Sequence, residues 1–420
     1  MEEKEKHDDT PEPAAEEDLQ PGNDSEVPKK RRLPRWLRIT LKTLMWIVIV
    51  VLLIPVLLYI PPVQDFVVKQ AEKIVHDKTG MTIGIGKFRL SFPLDVHLQD
   101  VFVITAASPT DTMVRAEEVV ADVKLIPLLN LDVKLNKLLL RRGYYRMVSA
   151  DSSMIMAINA GLLEVDSRSN CNIATSEINL NKVKLKDGSL SLFMDVWKKN
   201  EPDTAKSTGP GFVINANDID MENFAFGMSM LPTIDTLDVA VKDVKIRKAQ
   251  VDLNKSLVTW QLAAMSDGHA TYMQPTAEYV RTHPAPPSTP STGPPMRIMG
   301  DSISLTGMKV LYTTRGVKPA PGFDASYLSL SGVAIGMRNF YNESSTVRLP
   351  LTRLEAKERC GLTITSGKGT VSVDSIGLGL DALDIRTTFS HIAATADIPF
   401  ALMALDPKAP LNARAEGRIG

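Results

Sequence analysis

Six histidines are the first residues to ask for chemistry, because an imidazole can ligate a metal or move a proton near neutral pH. His7, His76, His97, His269, His283 and His391 fall in unrelated contexts. No HExxH pair sets two of them on one helix face, and no nucleophile elbow presents a serine. Cys171 and Cys360 are the two cysteines, with no metal-type spacing around them. In an oxidising compartment they could pair; otherwise they are two half-buried thiols. The stretch from Gly80 to Lys87, GMTIGIGK, has the glycines and lysine of a phosphate loop, yet its spacing is wrong and Phe88 replaces the required Ser or Thr. This stretch and Thr365 to Gly369 read as turns. Asp and Glu are spread as solvated-face residues, with no isolated pair for acid–base work. The reading is therefore of a non-enzyme with no catalytic residue, no metal and no cofactor.

The elements around these residues are more informative. Over the 420 residues the formal net charge is −1, but that sum hides a strong pattern. From Met1 to Glu26 the chain is acidic with Pro, Ala and Gly, a mix too polar to bury anything. Lys29, Lys30, Arg31, Arg32, Arg35, Arg38 and Lys42 follow, and then Leu44 to Ile60, LMWIVIVVLLIPVLLYI, carries no charge. At a rise of about 1.5 Å per residue such a run just crosses a hydrocarbon core of about 30 Å. Tyr59-Ile60-Pro61-Pro62 offers no small-x-small cleavage site, so a retained anchor is expected in place of a cleaved signal. Basic residues before the span place the N-terminus inside and the rest outside. That position also argues against reading KKRR as a nucleic-acid patch.

Val63 to Lys78 puts Val63, Phe66, Val67, Gln70, Ala71, Ile74 and Val75 near helical spacing, with Gly80 as the C-cap. From Met81 the period becomes two, which predicts strands. Eight segments then share the template apolar-x-apolar-x-x-apolar-x-apolar. They are Val96, Leu98, Val101, Val103; Val133, Leu135, Leu138, Leu140; Ile178, Leu180, Val183, Leu185; Ile219, Met221, Phe224, Phe226; Val239, Val241, Val244, Ile246; Ile303, Leu305, Met308, Val310; Leu328, Leu330, Val333, Ile335; and Leu378, Leu380, Leu383, Ile385. On a helix these four positions would scatter to about 0°, 200°, 140° and 340°. On strands they form two alternating pairs, and the step of three flips the apolar face unless a β-bulge absorbs one residue. Gln99-Asp100, Asn136-Lys137, Asn181-Lys182, Glu222-Asn223, Lys242-Asp243, Thr306-Gly307 and Ser331-Gly332 suit that role, and Asp381-Ala382 suits it less well.

The expected organisation is a disordered cytoplasmic tail over 1–42, a transmembrane helix over 43–60 and a juxtamembrane amphipathic helix over 61–80. A β-rich groove segment follows over 81–273, then a Pro-rich linker or loop over 274–296 containing THPAPPSTPSTGPP, and a further β-rich segment over 297–420. Lys198 to Gly211 is a second polar excursion. The fold class expected is mainly β: an elongated, curved antiparallel sheet after the two helices. Such a sheet has one greasy side and no helices to cover it. Either two sheets close as a sandwich, or an apolar trough holds something else. An acyl chain of about 16 carbons offers on the order of 12 kcal/mol of burial before the costs of binding. The residues proposed to line such a lipid groove are Val96, Leu98, Val101, Val103, Val133, Leu135, Leu138, Leu140, Ile178, Leu180, Val183, Leu185, Val239, Val241, Val244 and Ile246.

The order of anchor, Pro-containing exit, short helix ending at Gly80, IGIGKFRLSFPLDVHLQDVFV and VRAEEVVADVKLIPLLNLDVKLNKLLLRRG resembles the start of TamB/AsmA-like proteins of Gram-negative bacteria. The likeness covers residues 43–150 well and the rest more diffusely. It includes an L-x-D-V strand, Leu98-Gln99-Asp100-Val101, and a Pro-Leu-Leu step, Pro127-Leu128-Leu129. The resemblance implies a bacterial inner-membrane anchor and a periplasmic β-groove of the bridge-like lipid-transfer kind. It further implies phospholipid carriage to the outer membrane, or support of protein assembly there, with an outer-membrane assembly-barrel partner. Members of the TamB branch are far longer, so the end at Ala415 to Gly420, which reads as mid-sheet, implies a fragment or a short relative. The acidic tail is atypical of the family. Two alternatives stand beside lipid carriage: a factor that templates outer-membrane or secreted proteins through sheet edges, and a non-transporting tethered β-sandwich.

Overall fold

The computed structural model describes residues 45, 59–91, 95–104, 112–124, 127, 132–149, 152–195, 211–231, 234–284, 295–400 and 412–419. The tail over 1–42, and the span expected over 43–60 apart from Met45, Tyr59 and Ile60, lie outside these residues. Among the described helices none is long and apolar enough to cross a membrane.

Helix α1, Pro61–Thr79, begins on two prolines whose missing N–H groups cost nothing in a first turn, and ends at Gly80 with φ 68°. The Gly80 N–H closes on the His76 carbonyl at 2.8 Å, as a left-handed C-cap should. Strands β1 (Thr82–Ser91), β2 (Asp95–Ile104), β3 (Thr112–Val123), β4 (Asp132–Val148), β5 (Met154–Val165), β6 (Ser169–Asn172), β7 (Glu177–Asp195), β8 (Val213–Leu231), β9 (Ile234–Asp252) and β10 (Leu257–Gln274) follow. A short helix, α2 (Ala277–Thr282), precedes β11 (Arg297–Thr314), β12 (Tyr327–Glu343), β13 (Thr346–Glu358), β14 (Thr363–Val373), β15 (Gly377–Thr387), β16 (Ser390–Pro399) and β17 (Asn412–Ile419). All seventeen strands belong to one sheet. The chain is therefore mainly β, as expected.

Strands pair in chain order, with β5 and β6 end to end in one row between β4 and β7. Pairing is antiparallel except at two places. β7 pairs with β8 in parallel, and so does β10 with β11. These places coincide with the two polar excursions. Lys198 to Gly211 lies in the connection from β7 to β8, and the Pro-rich stretch over 274–296 lies in the connection from β10 to β11. A parallel pair requires the chain to return to the starting end of the strand before it re-enters the sheet, so both connections are crossovers. The Pro-rich stretch thus joins two strands that pair along their whole lengths, within one sheet.

The bulges line up. Asp100 (φ 53°), Arg142 (φ 46°), Asp187 (φ 51°), Asn223 (φ 55°), Asp267 (φ 54°), Gly307 (φ 66°), Gly332 (φ 59°) and Ala382 (φ 48°) are all left-handed. The register sets the first seven level across the sheet from β2 to β12, whereas Ala382 falls level with Gly369 and Leu351, five residues along β12 from Gly332 and near Asn339. Asp100 lies between the pairs Ile85↔Val101 and Lys87↔Gln99, level with Gly86. Arg142 and Asp187 flank Gly161 from either side. Asp187 is level with Asn223, Asn223 and Asp267 with Lys242, and Asp267 with Gly307. Asp and Asn dominate because their short polar side chains tolerate this backbone region better than most; Asn223 Nδ2 also donates to Asp187 Oδ1 at 3.0 Å. Both strands carry the left-handed residue in the two parallel pairs and in the antiparallel pair of β11 with β12; in the antiparallel pairs from β1 to β10 one strand of the two carries it. A second row runs six residues away through Asn181, Asn217, Lys248 (φ 49°), Gln261, Asp301 and Asn339 (φ 57°). On β4 and β5–β6 it continues as Asn136-Lys137 and the turn Asp166 to Arg168, where Asp166 accepts from Asn181 Nδ2 at 2.8 Å and from the Lys182 N–H at 2.9 Å.

The outer edge of β1 is closed by α1. Gln64, 2% exposed, donates to the Leu90 carbonyl at 2.9 Å and accepts from the Leu90 N–H at 3.2 Å. Glu72 accepts from the Ile85 N–H at 3.1 Å. Side chains thus take the place of a neighbouring strand on a row of backbone groups that would otherwise invite pairing.

Two outcomes follow. A Cβ at Gly307 would lie 2.5 Å from Asp267 Oδ1 on a backbone at φ 66°. Gly307→Val should therefore lower stability by roughly 1–3 kcal/mol in urea denaturation, whereas Asn223→Gly should change it by less than about 1 kcal/mol. In the second half of the chain three carboxylates close turns. Asp374 accepts from the Ile376 and Gly377 N–H groups, Asp324 from Ala320 and Ser326, and Glu358 from the Cys360 thiol and N–H and from Ser329. These bonds hold all three acids below their ordinary values. A depressed native pKa contributes stability above the unfolded value and loses it as pH falls through the carboxylate range. The urea midpoint should fall between about pH 7 and about pH 3.5, and less steeply in Asp374→Asn.

Candidate functional site

Residues directly opposite each other in a ladder point to the same face. Following the register from strand to strand therefore traces which side chains run together. One row reads Leu98, Val119, Leu140, Leu163, Leu185, Met221, Val244, Met265, Leu305 and Ile335 from β2 to β12. The row beside it reads Val96, Ala121, Leu138, Val165, Val183, Ile219, Ile246, Ala263, Ile303 and Met337. Beyond the first row of bulges comes Val103, Val114, Tyr145, Ile158, Leu190, Phe226, Val239, Ala270, Val310 and Leu330. Beyond the second comes Val133, Cys171, Ile178, Ile214, Val251, Val258 and Ile298. Each row is apolar along its whole length.

The bulges keep these rows on one face. Val239, Val241, Val244 and Ile246 belong to a single packed cluster although the step between Val241 and Val244 is three residues. Met221 and Phe224, Leu305 and Met308, and Leu330 and Val333 join the same cluster across the same step. On β2, β8, β11 and β12 a left-handed residue within that step rotates the pleat and returns the second pair to the side of the first, whereas β9 makes the same step at Lys242-Asp243 without one.

Of the sixteen positions proposed from the sequence, Val183, Val241 and Val244 are buried; Val96, Leu98, Val101, Val103, Val133, Leu135, Leu138, Leu140, Ile178, Leu180, Leu185, Val239 and Ile246 are half-buried. What covers them is their own sheet. The packed cluster around Val241 and Val244 draws its members from β8 to β13, strands that are consecutive neighbours. Two sheets packed face to face would bury alternate residues along each strand; among the described residues these strands leave most of them half-buried.

The opposite face is charged. On β7 to β9 Lys186 pairs with Glu222 at 2.8 Å, and Arg247 bridges Asp218 at 3.1 Å and Asp220 at 2.6 Å. The Glu222 carboxylate holds the Lys186 ammonium above its ordinary value. Farther along, His97 and Arg141 both meet Glu118, at 2.8 and 2.9 Å. At one end of the strands Asp235, buried, holds the Arg315 guanidinium through two oxygens, tying the start of β9 to the end of β11 across β10. Arg315 also lies 5.9 Å above the Tyr279 ring of α2. Cys171 sits inside an apolar row while Cys360 is exposed in the turn after β13, and both are free. Among the described residues no group of three or more His, Cys, Asp or Glu side chains is arranged to hold a metal.

The sequence reading missed half of the bulge positions. Arg142 and Lys248 carry no local sign of a left-handed backbone, and Asn339 sits in β12 outside any copy of the template. Gln64 was not singled out either, although a buried glutamine on the sheet side of α1 is the residue that closes the β1 edge.

The chain matches no known family model, and no characterised protein is similar to it in sequence.

Val244, 3% exposed, lies where two apolar rows meet the first row of bulges. Val244→Asp should cost roughly 3–5 kcal/mol, the penalty of an unpaired buried charge, read as a lower urea midpoint of the detergent-extracted chain.

Proposed function

We propose that this chain is a membrane-anchored lipid carrier of the TamB/AsmA-like, bridge-like kind, with its sheet on the periplasmic side of the inner membrane. The rows of bulges curve the sheet, and the apolar rows become the floor of a trough that shelters phospholipid acyl chains while headgroups stay in water. The observation that carries this reading is the continuity of the apolar rows. The row from Leu98 to Ile335 crosses ten strands without a polar residue. An acyl chain passing along such a row exchanges one apolar contact for a like one, at about 0.8 kcal/mol per buried CH₂ in each place, so no step presents a large barrier. That is transport without bond chemistry, directed toward the outer membrane. An assembly-barrel partner there is implied by the resemblance alone.

Templating of protein strands by the first sheet edge is the weaker reading, because Gln64 and Glu72 already occupy backbone groups of β1.

Native mass spectrometry of the detergent-extracted full chain should find phospholipid bound. Leu135→Asp combined with Leu180→Asp should reduce the bound fraction by more than about tenfold, while Lys245→Gln on the opposite face should leave it unchanged. A lipid-free wild-type chain would overturn the proposal.

A further inference from the structure

Helix α1 has two apolar sides, and the sheet uses one of them. At 3.6 residues per turn, Gln64, Val68, Val75 and Glu72 face β1, where Gln64 and Glu72 make their backbone bonds. Phe66, Val67, Gln70 and Ile74 fall within an arc of about 100° on another side. Phe66 is 61% exposed, Val67 42% and Ile74 52%. Ile60, just before the helix, is 42% exposed. Three large apolar side chains on one stripe are more than scattered surface hydrophobics, and a stripe of this kind needs a cover.

The neighbouring charges and the position in the chain identify that cover. Lys69 and Lys73 are exposed and border the stripe on the Phe66 side, the arrangement by which interfacial helices meet anionic headgroups. The helix starts directly after the uncharged run Leu44 to Ile60. From Ile60 to Ile74 the helix advances about 21 Å at 1.5 Å per residue. A helix pointing away from the bilayer would strand Ile74 far from any lipid. One lying along the surface brings Phe66, Val67 and Ile74 to it together.

We propose that α1 lies in the outer interface of the anchoring membrane, with Phe66, Val67 and Ile74 immersed at the headgroup–acyl boundary and Lys69 and Lys73 on anionic phosphates. The same helix closes the edge of β1, so it fixes the first strand of the sheet against the bilayer. This placement rests on the reading of residues 44–60 as a membrane span and deepens the lipid-carrier proposal, because it sets the beginning of the apolar rows beside the leaflet that supplies the lipid.

The test uses the full chain with Cys171 and Cys360 replaced by Ser, reconstituted in phosphatidylcholine–phosphatidylglycerol vesicles. A nitroxide is attached at Phe66→Cys, Ile74→Cys, Asp65→Cys or His76→Cys, the last two lying on the flank away from the stripe. The ratio of oxygen to nickel-chelate accessibility should be about threefold or more higher at 66 and 74 than at 65 and 76. Equal, water-like ratios at all four sites would overturn the inference. Carbonate extraction of the same vesicles reports on the anchor separately, since alkali washes off a surface helix and leaves a spanning segment in place. Lipid co-purification reports on carriage, so an immersed α1 on a chain that binds no lipid would remove the carrier reading alone.

Discussion

Every feature of this sheet depends on one backbone event repeated across it: on β2, β4, β7, β8, β10, β11 and β12 a residue is turned into the left-handed region at one level of the sheet. An unbroken strand alternates its side chains strictly, so apolar residues three apart must lie on opposite faces. Asp100, Asn223, Gly307 and Gly332 remove that conflict. Because they are aligned, the rotation of one strand is matched by the next and the ladders on either side remain in register. A bulge isolated in one strand would instead put that strand's second half out of phase with its neighbours, leaving charges among the valines. The rows of apolar side chains, the charged opposite face and the position of the buried cluster all follow from this alignment.

The alignment also decides which residues can be bulge residues. In the two parallel pairs both strands carry the left-handed residue, Asp187 with Asn223 and Asp267 with Gly307. The room is small: Gly307 has no space for a Cβ against Asp267. Across the antiparallel pairs from β1 to β10 the partner residue is not left-handed and is small at Gly86 and Gly161, where the neighbouring aspartate lies close to the glycine. Type and topology are thus linked at the level of single residues.

Much of this was legible along the chain. The change of period at Met81, the C-cap at Gly80 and the eight copies of the template are local patterns, and local patterns survive in a sequence. Asp100, Asn223, Gly307 and Gly332 could be picked out because Asx and Gly favour the backbone they adopt, and Ala382, the least convincing of the set, adopts it too. The alignment itself was not legible, since register joins residues more than 30 positions apart, as with Asp187 and Asn223. Arg142 and Lys248 had no reason in their own chemistry to be left-handed; their neighbours impose it. The two polar excursions were visible as interruptions, but composition says nothing about whether a chain crosses back to the same end of a sheet or begins another. The template positions on β2, β4, β7, β8, β9, β11 and β12 fall in shared apolar rows, and β3, β5 and β10 complete those rows in a way that the template did not show.

The two crossovers divide the sheet into three runs of antiparallel strands, β1 to β7, β8 to β10 and β11 to β17. β8 and β11 enter in the same direction, and each meets its predecessor through a left-handed residue at the same level. A middle run could accordingly be excised or duplicated whole, leaving β7 beside a strand of the right polarity with its kink already in place. Span is then a modular quantity for this architecture: the distance covered can grow or shrink by complete units during evolution, while the interior pattern of every unit is inherited unchanged.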